Sequence, residues 1–119
     1  MELTYGRGYV YSIQYHVVWC VKYRHKILVD DIKDDFIDII TNICKNNNYE
    51  LVEMNTDKDH VHMLLEIPPK MSISSFMGFL KGKSSVMIYE RWGNMKFKYR
   101  NREFWCRGYY VDTAGKNAE

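Results

Sequence analysis

The residues of this sequence with the clearest capacity for chemistry are two histidines one residue apart, His60 and His62. They open the apolar run "HVHMLLEI", whose alternation predicts a β-strand. Side chains two positions apart on a strand leave the same face about 6.6 to 6.8 Å apart. Both imidazoles can therefore converge on one divalent cation. The same tripeptide also suits two ordinary half-exposed strand residues, so the pair alone is a weak signal.

The residues around the pair strengthen the metal interpretation. A short turn, Asp57-Lys58-Asp59, directly precedes the histidines. Its two carboxylates could orient the imidazoles as hydrogen-bond acceptors, although aspartates are also common as simple turn formers. His16 falls on the polar side of the first predicted strand and would border the pair if the two strands are neighbours. His25 lies in a basic connector and is less informative.

The hydrophobic pattern predicts six elements in the order β-α-β-β-α-β. The strands are expected at 9–19, 49–56, 60–67 and 104–112, and amphipathic helices at 30–48 and 72–92. Ser72 is the expected N-cap of the second helix, and the tail 113–119 reads as a turn. This order predicts an α+β fold of the ferredoxin-like or RNA-recognition-motif type: an antiparallel sheet with both helices on one face.

Strand alternation assigns the faces of that sheet. Val61, Met63 and Leu65 share one side of the third strand, whereas His60 and His62 share the other. Helices that cover the apolar side would leave the histidine side open. The long aromatic first strand is a plausible edge of the sheet.

Composition sets the broad class. At 119 residues the chain is expected to form one domain, 1–119, with 46% hydrophobic and 27% charged residues. Three widely spaced cysteines without a CxxC pair favour a reducing compartment over a disulfide framework. With no evident signal peptide and no apolar run of membrane-spanning length, we expect a cytoplasmic protein without a membrane partner.

The net charge of +2 is too small to indicate nucleic-acid binding, so charge has to be considered locally. Basic residues cluster after the first strand, in the turn, on the second helix and in the segment 96–102, where aromatics alternate with cations. Cations suit phosphates, and rings suit stacked bases of a single strand. The candidate nucleic-acid-binding residues in and beside these clusters are Lys22, Arg24, Lys26, Lys58, Lys81, Lys83, Ser84, Lys98 and Arg100, although a solvated loop explains the segment 96–102 equally well.

Blocks of the sequence resemble a known family when taken together. They are "YHVVWCVKYRHKIL", "EMNTDKDHVHMLLEIPP", "FLKGKSS" and "FWCRGYYVDTAG", in this order and at this spacing. The chain closely resembles the small single-tyrosine HUH transposases of prokaryotic insertion sequences, the IS200-like family. HUH denotes two histidines around a bulky hydrophobic residue, here His60, Val61 and His62.

The resemblance implies a metal-dependent strand transferase that binds single-stranded or hairpin DNA at the ends of an insertion sequence. In that family the two histidines, here His60 and His62, are catalytic metal ligands for magnesium or manganese. A tyrosine attacks the scissile phosphate and forms a 5′-phosphotyrosine link. The family also works as homodimers, and the bound protein would be associated with the nucleoid.

This sequence departs from the family at one point. The family's nucleophilic tyrosine and its helical metal ligand lie downstream of the "TAG" turn, and no residue of these 119 matches either position. Tyr109 and Tyr110 precede that turn and are expected to pack or stack. We therefore expect the 119-residue chain alone to bind DNA without efficient cleavage.

Two function classes stay open on these grounds. One is a transposase core for excision and insertion of single-stranded DNA. The other is a catalytically inactive, truncated or domesticated derivative that acts as a nucleic-acid-binding regulator. A replication or mobilisation initiator that shares the HUH pair is a weaker third candidate, because the flanking blocks and small size fit it less well.

Overall fold

The computed structural model of the protein describes residues 13–68, 71–93 and 104–116. Its elements confirm the predicted order. The strands are β1 (Ile13–Cys20), β2 (Glu50–Thr56), β3 (His60–Glu66) and β4 (Tyr110–Lys116), and the helices are α1 (Asp30–Asn46) and α2 (Ile73–Arg91). A 3₁₀ turn at Lys22–Arg24 follows β1.

The four strands form one antiparallel sheet in the order β2-β3-β1-β4. This order is that of the ferredoxin-like fold, so the predicted α+β class is confirmed. The expectation that the first strand is an edge is wrong, because β1 pairs with β3 on one side and β4 on the other. Its apolar alternation reflects one buried face of a central strand.

The start of α2 and the end of α1 lie where their polar residues predict. Ser72 caps α2 by accepting a hydrogen bond from the backbone N–H of Ser75 at 3.1 Å, as expected. Asparagines terminate α1: the Asn47 side chain donates to the carbonyl of Ile43, and Asn48 adopts a left-handed φ of 61°. A local hydrogen bond therefore fixes the end of α1, and another fixes the start of α2.

The core lies between the helices and one face of the sheet. Val17 and Trp19 from β1 and Val61, Met63 and Leu65 from β3 are buried there. They pack in one cluster with the buried residues of the helices, which include Phe36, Ile39 and Ile40 of α1 and Phe76, Met77 and Leu80 of α2. Because both helices share this cluster, the opposite face of the sheet stays open.

The predicted fourth strand differs from the structure. Instead of an extended run over 104–112, residues 104–109 contribute one isolated bridge, between Trp105 and Val21, and the strand occupies Tyr110–Lys116. Gly108 has a φ of 82°, which interrupts an extended chain. The tail predicted as a turn from residue 113 instead pairs with β1 as far as Lys116. Pairing with β1 has overridden the local turn propensity.

Neither described helix is both long enough and apolar enough to cross a membrane. The basic segment 96–102 lies outside the described residues.

Candidate active site

The two histidines lie side by side on the open face of β3. Burial alternates along that strand, and Val61, Met63 and Leu65 are buried while His60 and His62 are half-buried on the other side. Their imidazole centroids are 4.8 Å apart, with the ring planes at 71°. The alternation thus placed both rings correctly.

The surface around the pair is built by the strand register. We call this surface the histidine face, and its members come from all four strands: Gln14, His16, Val18 and Cys20 of β1, Glu53 and Asn55 of β2, His60, His62, Leu64 and Glu66 of β3, and Tyr110 and Asp112 of β4. His62 lies opposite Asn55 on one side and Val18 on the other. His60 lies opposite Cys20.

Asp59 orients the His60 ring. Its Oδ1 lies 2.7 Å from Nδ1 of His60. An ionised carboxylate can only accept, so Nδ1 donates, and in the neutral form of the ring Nε2 then carries the lone pair. The hydrogen bonds from His60 and then Arg24 hold the pKa of Asp59 below its ordinary value, so the carboxyl is ionised at neutral pH. This is the carboxylate–imidazole arrangement that orients metal-binding histidines.

Asp57 has a different role. Its side chain is 68% exposed, and its Oδ2 lies 3.9 Å from Nε2 of His60, which is too long for a hydrogen bond. Its Oδ1 instead accepts from the backbone N–H of Lys58 at 2.9 Å. Of the two turn carboxylates, Asp59 therefore contacts a histidine ring directly, whereas Asp57 stabilises the turn.

His62 is held in its neutral form. Burial lowers its pKa, and protonation of His60 or of His16 lowers it further. The His16 ring stacks on that of His62 at a centroid distance of 5.8 Å. A neutral imidazole offers a lone pair, so the ring of His62 has the chemistry of a metal ligand at neutral pH.

The donor set is compatible with part of a metal site. Within 13–68, 71–93 and 104–116, no group of three or more histidines, cysteines or acids is arranged to hold a metal ion. The two imidazoles could occupy two positions of such a site, which is fewer than the three protein ligands that catalytic metal sites usually have.

Charge is divided along the histidine face. Near His60, Arg24 contacts Asp59, Lys58 lies in the adjoining turn, and Lys26 belongs to the same loop as Arg24; all three are exposed. The loop that carries Arg24 and Lys26 is joined to the turn by two backbone hydrogen bonds. The N–H of Val21 donates to the carbonyl of Asp59, and the N–H of Leu28 donates to the carbonyl of Lys58. The far end carries Glu53, Glu66 and Asp112. An anionic strand is consequently favoured at the histidine end.

The remaining candidate DNA-binding residues lie in two other environments. Lys22 is half-buried, with its ammonium 5.5 Å from the ring centroid of Tyr23. Lys81 on α2 donates to the carbonyls of Cys106 and Gly108 at 2.7 and 2.8 Å, so it supports the chain before β4. Lys98 and Arg100 lie outside the described residues.

Ser84 and Lys83 show why a motif on a helix cannot be assigned to one surface. Lys83 is exposed, but Ser84 is fully buried between α2 and the sheet. The Ser84 hydroxyl donates to the carbonyl of Lys81 and accepts from Nε1 of Trp105 at 3.0 Å. Ser84 is thus a core residue and is not on a surface that DNA reaches in this structure.

Tyr110 and the Arg24–Asp59 contact were not identified from the sequence as parts of this site. Tyr110 is 59% exposed and shares the histidine face, one strand beyond Val18. Its position depends on pairing between β1 and β4, which no local pattern reveals. Arg24 Nε donates to Asp59 Oδ2 at 3.1 Å across 35 positions of sequence, and a lone arginine gives no signal of that partner.

Comparison with known proteins identifies the family. The sequence profile described as "Transposase IS200 like" matches residues 9–119. The chain belongs to this transposase family. The transposase for insertion sequence element IS200 from Salmonella typhimurium is 55% identical over 107 residues, which is 90% of this chain and 70% of that protein. The ISDra2 transposase TnpA of Deinococcus radiodurans is 38% identical over 117 residues, covering 98% and 84% of the respective chains.

Solved structures agree with this assignment. A crystal structure of a protein assigned as a transposase from Deinococcus radiodurans superimposes with a TM-score of 0.88 at 36% identity, over 95% of this chain and 87% of that one. A tyrosine transposase bound to a REP hairpin has a TM-score of 0.61 at 13% identity, over 97% and 63%. The second likeness shows the shared fold of a transposase domain.

Proposed function

We propose that this transposase binds the single-stranded hairpin ends of its insertion sequence at the histidine end of the open face. The observation that carries the proposal is the pair of half-buried imidazoles of His60 and His62 on one face, with Asp59 accepting a hydrogen bond from Nδ1 of His60. A distant structural neighbour is bound to a hairpin, which supports the choice of substrate. His60 and His62 would contribute two ligands to a divalent cation.

That cation, when bound, would polarise the scissile phosphate as a Lewis acid. The chain's own residues prepare the site: His60 and His62 present lone pairs, and Asp59 fixes the ring of His60. Carboxylates and water suit both metals, but magnesium is the harder cation and binds imidazole nitrogen less readily than manganese does. Between the two metals expected from the sequence, we infer that Mn²⁺ binds this donor pair more tightly.

Tyr110 is better placed to stack than to attack. It lies two strand spacings from His62, about 9 to 10 Å across the sheet. Its exposed ring on the histidine face suits an unpaired base, which aromatic residues bind by stacking. We therefore assign Tyr110 to base stacking, and a covalent phosphotyrosine formed at Tyr110 would contradict this assignment.

The binding proposal is tested by the salt dependence of hairpin affinity. Fluorescence anisotropy with a labelled single-stranded hairpin from the element's end would compare wild type with Lys26→Gln and Lys58→Gln. Each phosphate contact with a single strand contributes about −0.7 to the slope of log K against log salt. Each of these two variants is therefore expected to make the slope less negative by about 0.7.

Lys33→Gln provides the matched control, because Lys33 is an exposed cation on α1, on the helical side of the sheet. It should leave the slope unchanged. If all three variants gave the same slope, or if wild-type affinity did not depend on salt, phosphate contacts at the histidine end would be refuted.

We also propose that the transposase forms a homodimer through its sheet, with β2 and β4 as the edges among the described strands. Light scattering coupled to size-exclusion chromatography measures this directly. A mass near twice 14.3 kDa is the expected result, and a mass equal to one chain at high micromolar concentration would refute it.

A further inference from the structure

The loop between β1 and α1 contains an unusual backbone conformation. Tyr23 and Arg24 are consecutive non-glycine residues in the left-handed region, with φ of 58° and 55°. Each such residue costs about 1 kcal/mol or more, and the conformation persists only where surrounding contacts hold it. The side chain of Tyr23 is 70% exposed, so burial of its ring does not explain the strain.

Backbone hydrogen bonds hold the loop against the turn that precedes His60. Val21 N donates to Asp59 O at 2.8 Å, and Leu28 N donates to Lys58 O at 2.9 Å. Within the loop, Arg24 N donates to Val21 O at 2.8 Å. These contacts fix the position from which the Arg24 side chain extends.

The result of this geometry is a three-residue chain of hydrogen bonds. Arg24 Nε donates to Oδ2 of Asp59 at 3.1 Å, and His60 Nδ1 donates to Oδ1 of the same carboxylate at 2.7 Å. The Asp59 side chain is 12% exposed, whereas that of Arg24 is 61% exposed. Because each oxygen has its own donor, rotation of the carboxylate breaks at least one strong bond.

We propose that Arg24 is a positioning residue for the metal-binding nitrogen of His60. It fixes the carboxylate of Asp59, which in turn fixes the ring plane of His60 and keeps its proton on Nδ1. Nε2 then presents its lone pair beside His62. This inference rests on the proposed metal-binding role of the histidine pair, and it assigns Arg24 a function beyond a phosphate contact.

Arg24→Ala should change the affinity for Mn²⁺ in the direction opposite to that expected from charge repulsion alone. Removing a positive charge near a cation site should tighten metal binding through weaker repulsion. Removing a residue that orients a ligand should weaken it, and loss of an outer partner of a metal ligand typically costs 10- to 100-fold. Since Arg24 acts one residue further away, we expect Arg24→Ala to weaken Mn²⁺ binding by about 3- to 10-fold.

Two measurements on the full 119-residue chain test the inference. Long-range ¹H–¹⁵N NMR, without metal and at a pH where the imidazoles are neutral, reports the tautomer of His60. Wild type should show one tautomer with the proton on Nδ1, and Arg24→Ala should show a mixture. Calorimetric titration with Mn²⁺ then gives the affinity change.

Arg24→Lys and Lys26→Ala complete the design. Arg24→Lys keeps the charge but lacks the planar Nε donor, so it should also give mixed tautomers and weaker Mn²⁺ binding. It keeps the test open if Arg24→Ala fails to fold. Lys26→Ala removes an exposed cation from the same loop and should leave the tautomer unchanged and Mn²⁺ binding equal or slightly tighter.

The inference is overturned if both Arg24 variants keep the single Nδ1 tautomer and bind Mn²⁺ as tightly as wild type or more tightly. A His60→Ala, His62→Ala double variant separates this from failure of the metal proposal. If that variant binds Mn²⁺ like wild type, the histidines are not the metal site. The tautomer of His60 in the Arg24 variants still decides the positioning role by itself.

Discussion

Ser84→Ala distinguishes a structural serine from a DNA-contacting one. The Ser84 hydroxyl is fully buried, donates to the carbonyl of Lys81 and accepts from Nε1 of Trp105. Trp105 is 4% exposed and packs edge-on against Trp19, Phe36 and Phe104. Alanine at position 84 would leave the indole N–H in that core without an acceptor.

The expected cost follows from this contact. An unsatisfied buried donor costs about 1–3 kcal/mol, which includes the lost hydrogen bond. With an unfolding entropy of about 2.1 cal/mol/K per residue, a chain of this length loses roughly 4 °C in Tm for each kcal/mol. We therefore expect Tm to fall by about 4 to 12 °C, with unchanged affinity for hairpin DNA at a temperature where the variant is folded.

Ser85→Ala is the matched control one residue along the same helix. Ser85 is half-buried, and its hydroxyl donates to the carbonyl of Gly82 at 3.3 Å without an indole partner. We expect a change within about 0.5 kcal/mol. Urea unfolding followed by tryptophan fluorescence measures both variants. A Ser84→Ala variant with wild-type stability and weakened DNA binding would refute the reasoning and restore Ser84 as a contact.

Three further predictions concern titration, reactivity and the support of β4. Burial, His60 and His16 lower the pKa of His62 in the folded protein, so the unfolded chain takes up a proton at a higher pH, near the ordinary 6.5. The free energy of unfolding should therefore fall as the pH drops below that value. In urea titrations, His62→Gln should make this decline shallower, and a steeper decline would contradict the reasoning. Burial raises the pKa of Cys44 to about 11. Iodoacetamide at pH 8 should therefore modify this thiol slowly in the folded protein and readily in urea, and equal rates would contradict its burial. Lys81→Met removes the donor to the carbonyls of Cys106 and Gly108, so it should lower the free energy of unfolding by about 1–3 kcal/mol and speed amide exchange in residues 104–109. A weaker salt dependence of DNA binding at wild-type stability would instead identify Lys81 as a phosphate contact.

Residues whose positions depend on neighbours close in sequence could be predicted, whereas those that depend on distant strand pairing could not. The faces of β3 were predicted correctly because alternation with a period of two is a local property of the strand. The cap at Ser72 was predicted for the same reason, since its acceptor and donor are three residues apart. The prediction of the fourth strand at 104–112 is wrong at both ends, because the pairing of β4 (Tyr110–Lys116) with β1 links residues far apart in sequence.

The sequence by itself determined the order of the elements, the shared face of His60 and His62 and the family of the protein. Those features follow from periodicity, from caps and from blocks of residues that lie close together along the chain. Only the tertiary structure decided that β1 is central, that Ser84 is buried under Trp105 and that Arg24 reaches Asp59. Each of these depends on strand pairing or packing across many positions, which one strand or helix cannot specify alone.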